Sequence, residues 1–206
     1  MSDQSRRGTP ALASTPAAWT FFRQWLKNPR AVAALSPSGR HLAQQMVRQV
    51  PADARRIVEL GAGTGVFTQA LIDAGVAPQD LLVLELNEAF CRLLRQRFPR
   101  THVVQGDASD LAAIAARSGF ARAGGVDAVV SGLGFLPMPR DLQKSILAAT
   151  FAVLGPGRPL IQFTYGPASP LPRDLLLELG LSVRRAGFAW RNVPPATVYV
   201  YTRPHR

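Results

Sequence analysis

The run Arg56-Ile57-Val58-Glu59-Leu60-Gly61-Ala62-Gly63-Thr64-Gly65 decides how the rest of the chain is read. An apolar strand-like stretch ends in an acid, glycines then alternate with small residues, and a segment of helical periodicity follows over 65–74. Strand, loop and helix in that order form the βα unit of a parallel sheet. Glycine at the turn removes the side chains that would hold a ligand away from backbone at the helix N-terminus.

Working outward, short apolar runs keep alternating with helical stretches, the signature of parallel strands joined by crossover helices. The reading places strands at Arg56–Glu59, Leu81–Glu85, Thr101–Gln105, Ala128–Ser131 and Leu160–Thr164, with helices at Gly65–Ala74, Asn87–Arg97, Asp110–Ser118 and Arg140–Leu154. Beyond Leu181 the pattern changes, and Ser182–Arg191 and Thr197–Thr202 read as a hairpin through Asn192-Val193-Pro194-Pro195. The expected fold is α/β and Rossmann-like: a mostly parallel, seven-stranded sheet closed by an antiparallel C-terminal hairpin. Ahead of it, residues 1–15 are expected to be a disordered tail. Thr15-Pro16 caps an amphipathic helix reaching Lys27, and a second helix follows Pro37-Ser38-Gly39 to about Val50. The domain proper is then 51–206.

The chain has 206 residues, 47% hydrophobic and 18% charged, which suits one folded domain and excludes a disordered chain. A single cysteine, Cys91, excludes a disulfide framework and cannot by itself build a structural metal site, so a reducing cytoplasm is expected. No run approaches a membrane span, and residues 1–15 lack a secretory apolar core. The net charge of +11 is uneven, with nine basic and two acidic residues up to Arg56. Such an excess implies an anionic partner, a membrane surface or a nucleic acid.

Val66 stands where a dinucleotide loop wants a third small residue, so the pattern suits a nucleoside without a pyrophosphate, as in S-adenosylmethionine. Glu59 is expected at the cofactor's methionine end. Glu85 ends the second strand about 20 residues beyond the loop, where two carboxylate oxygens match two vicinal ribose hydroxyls. Asp107 follows the third strand and is placed for the adenine amino group, with the Ala108 backbone on a ring nitrogen. Gly61, Ala62, Gly63, Thr64 and Gly65, with Leu86 beside Glu85 and Ser131 closing the fourth strand, complete the expected cofactor set. A helix cap or a solvated strand end explains any one acid. All three at the ends of successive strands favour a ligand edge.

Ser131-Gly132-Leu133-Gly134-Phe135-Leu136-Pro137 lacks the acid-or-amide, proline and aromatic pattern of enzymes that methylate adenine amines, and reads as an apolar, lipid-facing lip. The 16–27 helix gathers Ala18, Trp19, Phe22, Trp25 and Leu26 on one face beside Arg23 and Lys27. A membrane interface and packing on the core both fit such a stripe.

These residues carry a resemblance. Phe22–Pro29, Ala34–Gly39, Val58–Gly65, Glu85–Cys91, Val104–Ala108, Gln162-Phe163-Thr164-Tyr165-Gly166 and Pro194-Pro195-Ala196 resemble the bacterial phospholipid N-methyltransferases of the soluble class, within the class I S-adenosylmethionine-dependent methyltransferases, from about Phe21 to Tyr201. The resemblance implies successive methylation of the amine of phosphatidylethanolamine toward phosphatidylcholine, with the N-terminal helix gripping anionic lipid. It implies cofactor contacts from Glu59, Gly61, Gly63 and Glu85, with Ser36 or Ser38 at the cofactor carboxylate, though an ordinary helix N-cap role fits either serine as well. Tyr165 is the candidate for contacting the amine, though a strand-end aromatic covering the core fits as well. His41 is a candidate proton acceptor, though a lone histidine on a helix also fits a structural or solvated role, and Arg23, Arg30 and Arg173 fit the lipid phosphate equally. With Trp19, Phe22, Trp25 and Lys27 as lipid contacts, the expectation is a monomer held at the inner face of the membrane, with no nucleic-acid partner. Two other readings stand beside it: an RNA methyltransferase, and a membrane-associated protein that keeps the nucleoside site without turnover.

Overall fold

Continuous burial along the central strands explains the architecture. In β1 (Ile57–Leu60), β2 (Leu81–Glu85), β4 (Ala128–Ser131) and β5 (Leu160–Thr164) nearly every residue is buried, because helices cover both faces. The computed structural model describes residues 37–121, 125–190, 192 and 194–204. The expected tail at 1–15 and the expected 16–27 helix, with Trp19, Phe22, Arg23, Trp25 and Lys27, lie outside these residues, as do Arg30 and Ser36.

The seven strands stand in the order β3-β2-β1-β4-β5-β7-β6. β3 (His102–Gln105), β2, β1, β4 and β5 are parallel, and β7 (Ala196–Thr202) and β6 (Ser182–Ala189) close the sheet antiparallel, as the sequence predicts. One face carries α1 (Pro37–Val47), α2 (Val66–Asp73) and α3 (Glu88–Arg97), whose Leu42, Met46, Leu71 and Leu94 pack with Ile57, Val83, Val130 and Ile161. The other carries α4 (Leu111–Arg117), α5 (Arg140–Val153) and α6 (Arg173–Glu178), whose Leu111, Ile114, Leu147 and Leu175 pack with Val58, Leu82, Val129 and Leu160. Each such Leu or Ile contributes roughly 2 kcal/mol by leaving water.

Differences from the sequence reading are local. α1 begins at Pro37 and ends at Val47, short of Val50. β6 stops at Ala189 after a bulge between Arg185 and Gly187. The six-residue α6 after Pro172 is too short to show a helical period. Among the described residues no helix is long and apolar enough to cross a membrane.

Strand order reverses at β1: β2 and β3 lie to one side, β4 and β5 to the other. The carboxyl ends of β1 and β4 therefore flank the crevice in which open α/β sheets bind ligands.

Candidate functional site

Gly61, Gly63 and Gly65 all adopt positive φ, at 67°, 54° and 83°. The turn is thus a left-handed path open to glycine and strained for other residues. At Gly61 a side chain would also meet Leu133, whose Cδ2 lies 2.7 Å from an added Cβ. Close packing of the loop falls at Gly65, where Phe98 Cε2 and Leu94 Cδ2 of the α3 region lie 2.5 and 2.9 Å from the same imaginary atom. Val66, one residue later, opens α2 without having to fill that role.

Glu85 ties the loop to β2. Its Oε2 accepts from the Gly63 N–H at 2.8 Å and its Oε1 from the Asn87 N–H at 2.9 Å. Each oxygen keeps a second lone pair, so the carboxylate fixes the loop and still has acceptor capacity for two hydroxyls. Asp107 accepts from Ser109 through both its N–H (2.8 Å) and its Oγ (2.7 Å), all on Oδ1, with Ala108 buried beside it. Leu86 is exposed, while Ala62, Thr64 and Ser131 are buried; the Ser131 Oγ accepts from the Leu133 N–H at 3.3 Å. Ser38 lies in the first turn of α1, whose Gly39 faces Val66 at 3.8 Å from an added Cβ. That turn therefore abuts the end of the glycine loop.

Glu59 is fully buried on the α1–α3 face. Its Oε2 accepts from Thr68 Oγ1 of α2 at 2.6 Å, and its Oε1 has no partner. Burial pushes its carboxyl up to about 7 from an ordinary 4.5. The folded state thus holds a proton that the unfolded chain loses between those values, so this group's contribution to stability falls as pH rises through that window. Relative to Glu59→Gln, the wild type should lose on the order of 3 kcal/mol between pH 4.5 and 8. Denaturant unfolding of both proteins at the two pH values checks this, and parallel pH profiles would refute it.

Three aromatics converge at the exit of β5. Phe67 of α2 meets Phe163 edge-on at 5.8 Å, and Phe163 meets Tyr165 at 5.3 Å. Burial raises the Tyr165 phenol above its usual range, against a hydrogen bond with the Asn192 side chain that lowers it. Tyr165 is therefore a neutral phenol at physiological pH, an acceptor of hydrogen bonds rather than a base. The sequence assigns no individual site role to Phe67, Phe163, Asn192 or Gln162. The buried Gln162 Nε2 donates to the Leu133 carbonyl at 2.8 Å and so holds the loop after β4. The sequence reads that loop as an apolar, lipid-facing lip. Phe135 is instead buried, its carbonyl accepting from Gln143 Nε2 at 2.9 Å, and Leu136 is the exposed residue. His41 sits in α1 with its Nδ1 buried and unpartnered, and Arg173 is exposed at the start of α6.

The residues fit S-adenosylmethionine: bare backbone at the β1 exit, a carboxylate with free acceptor capacity on β2, and a buried, unpartnered oxygen on Glu59 suited to a cationic group. A family described as methyltransferase domain matches residues 57–157. The chain is 36% identical over 185 residues to an ornithine lipid N-methyltransferase of Singulisphaera acidiphila, spanning 87% of this chain and 92% of that protein. A ribosomal RNA small subunit methyltransferase A of Synechococcus sp. matches at 37% over 90 residues, which are 42% of this chain and 29% of the relative. Among solved structures, the 1,6-didemethyltoxoflavin-N1-methyltransferase of Burkholderia thailandensis, with S-adenosylhomocysteine bound, shares the fold at a TM-score of 0.64 and 13% identity, over 98% of this chain and 94% of that one. With a lipid N-methyltransferase matched along nearly its whole length, on a sheet whose reversal point offers bare backbone to a nucleoside, the chain belongs to the class I S-adenosylmethionine-dependent methyltransferases and uses S-adenosylmethionine as its cofactor.

Proposed function

We propose that the protein methylates the amine of a membrane lipid, phosphatidylethanolamine and its mono- and dimethyl derivatives, at the inner face of the membrane. The observation that carries this reading is the near-full-length likeness to a lipid N-methyltransferase. The ribosomal RNA methyltransferase likeness covers a minority of either protein, which favours the lipid reading over RNA. A second acceptor, the amine of an ornithine lipid, is favoured by the activity named for that relative.

In this reading Glu85 takes the ribose, Asp107 and Ala108 the adenine, and Glu59 with the Ser38 turn the methionine end. Gly61–Gly65, Leu86 and Ser131 line the path between them. The bound cofactor supplies an electrophilic methyl group, and the protein aligns the amine with it and excludes water. A primary ammonium with a pKa near ~10 costs about 4 kcal/mol to deprotonate at neutral pH. The neutral Tyr165 phenol receives the amine's N–H, and its ring, with Phe163 and Phe67 behind it, stabilises the methylated cation. The unpartnered Nδ1 of His41 supports that imidazole as the proton acceptor. The 16–27 segment, through Trp19, Phe22, Arg23, Trp25 and Lys27, and Arg30 after it hold a monomer to anionic lipid.

Labelled S-adenosylmethionine incubated with vesicles of phosphatidylethanolamine, vesicles of ornithine lipid, or ribosomal RNA tests the reading. Label is expected in phosphatidylethanolamine products. Label confined to ornithine lipid selects the second acceptor, and label in RNA, or in nothing despite cofactor binding, refutes a lipid acceptor.

A further inference from the structure

Exposed apolar side chains gather on one edge of the sheet. Leu86, 65% exposed, follows β2; Leu136, 59% exposed, lies in the loop after β4; Phe188 at 47% and Trp190 at 63% end β6. β6 is antiparallel to β7, which is antiparallel to β5, so β6 runs with the parallel strands. Its carboxyl end therefore shares an edge with the glycine loop and Tyr165. Four of the seven exposed large hydrophobics among the described residues rim the side on which the chemistry happens.

The pattern continues along β6, the outermost strand of its side. Val183, Arg185 and Phe188 pair with Tyr201, Tyr199 and Thr197, alternate residues of β7, so the bulge after Arg185 brings all three to one face. The Arg185 guanidinium lies over the Phe188 ring, 5.6 Å from its centroid. A cation held above an exposed aromatic ring is the arrangement that long basic side chains adopt at a lipid–water interface. Neither Arg185 nor Arg173 forms an ion pair with a carboxylate among the described residues. Two residues past Trp190, Asn192 is buried, its Nδ2 donating to the Pro194 carbonyl at 2.7 Å and its side chain acting on the Tyr165 phenol, so the exposed aromatic end of β6 leads toward the residue that meets the acceptor.

We propose that this carboxyl edge docks on an anionic phospholipid bilayer through Phe188, Trp190, Leu86 and Leu136, with Arg185 and Arg173 at the lipid phosphates. Extent and charge select a bilayer as the occupant. Leu86 beside β2 and Phe188 on β6 are five strand positions apart in the sheet, about 24 Å at the usual spacing. A broad flat surface reaches both at once, where a single peptide strand or helix lying on β6 would leave the others in water. The chain's +11 charge complements anionic lipid. The inference rests on the lipid reading above and deepens it: docking by this edge lets an amine reach Tyr165 without its lipid leaving the membrane.

Trp19→Phe with Trp25→Phe leaves Trp190 as the sole tryptophan of the full chain. On adding phosphatidylglycerol–phosphatidylethanolamine vesicles, its emission is expected to shift to the blue and to be quenched by brominated phosphatidylglycerol. In the otherwise native chain, Phe188→Ala with Trp190→Ala should lower vesicle affinity about tenfold or more, with S-adenosylmethionine affinity unchanged. Trp190 emission that stays that of a water-exposed indole in excess vesicles overturns the proposal. So does a blue shift that follows protein concentration without lipid, which would mean a second copy covers the edge. Loss of vesicle affinity only together with cofactor affinity also overturns it. The two readings fail separately: quenching by lipid with no lipid methylated leaves the docking surface standing and removes the acceptor, whereas methylation of micellar short-chain phosphatidylethanolamine with Trp190 still in water does the reverse.

Discussion

Glu85→Ala should weaken S-adenosylmethionine binding about a hundredfold to ten-thousandfold, since two charge-assisted hydrogen bonds of about 1.5–3 kcal/mol each are at stake. The carboxylate has two tasks. It accepts from the Gly63 and Asn87 N–H groups, which fixes the glycine loop against β2, and its remaining lone pairs face the ribose in the proposed pose. Alanine removes both and leaves the loop's N–H without its acceptor, so the loop loses its preorganised shape along with the direct contact. Glu85→Gln keeps one acceptor oxygen but turns an NH2 toward an N–H donor, and should fall between the two. Calorimetric titration with the cofactor measures each affinity. An unchanged value for the alanine variant would mean that the sugar lies elsewhere.

Gly132→Ala is the second change with a large effect. A Cβ there would sit 2.6 Å from the Gly61 carbonyl oxygen and 3.4 Å from that of Leu60. Both are backbone atoms and cannot swing aside. The Gly132 N–H also donates to the Leu60 carbonyl at 2.8 Å, so the clash falls where β4 and β1 separate. The variant should lose about 2–3 kcal/mol of stability by overpacking and, because Gly61 itself is displaced, at least tenfold in cofactor affinity. Gly166→Ala is the control: it lies just past β5 on the same edge, has nothing within 4 Å of an added Cβ, and should be close to neutral. Denaturant unfolding and titration of both variants decide it, and equal behaviour of the two would refute the packing argument.

What could be read in advance was what is local in the chain. Glu59, the three alternating glycines and the helix after them sit within residues 59–73, and β2 with Glu85 repeats the same apolar-run-then-acid form, so the sheet and its ligand edge were legible. The antiparallel hairpin was legible for the same reason, since Pro194-Pro195 punctuates two β-rich runs. Residues joined by the fold alone were not. Phe67, Phe163 and Tyr165 come from α2, β5 and the turn after it, and only the stacking of α2 on the sheet brings their rings together. Phe135 looked like part of an exposed apolar loop because nothing nearby in sequence announces that Gln143, a turn into α5, will hold its carbonyl and bury its ring. The exposed face of β6 depends on the bulge at Arg185 and Gly187, which shifts the alternation by one residue and which the sequence does not signal. Gly187 allows α1 to approach there, with Gln45 Oε1 3.3 Å from where its Cβ would be.

A crystal structure of the full chain with S-adenosylhomocysteine is the most direct test of the site. The ribose hydroxyls should lie within hydrogen-bond distance of both Glu85 oxygens, the amino-acid end should pass over Gly61–Gly63 with its amine toward Glu59, and the sulfur should face the Tyr165 side of the crevice. A nucleoside bound away from the β1–β4 reversal point, or one that leaves Glu85 without a contact, would contradict it.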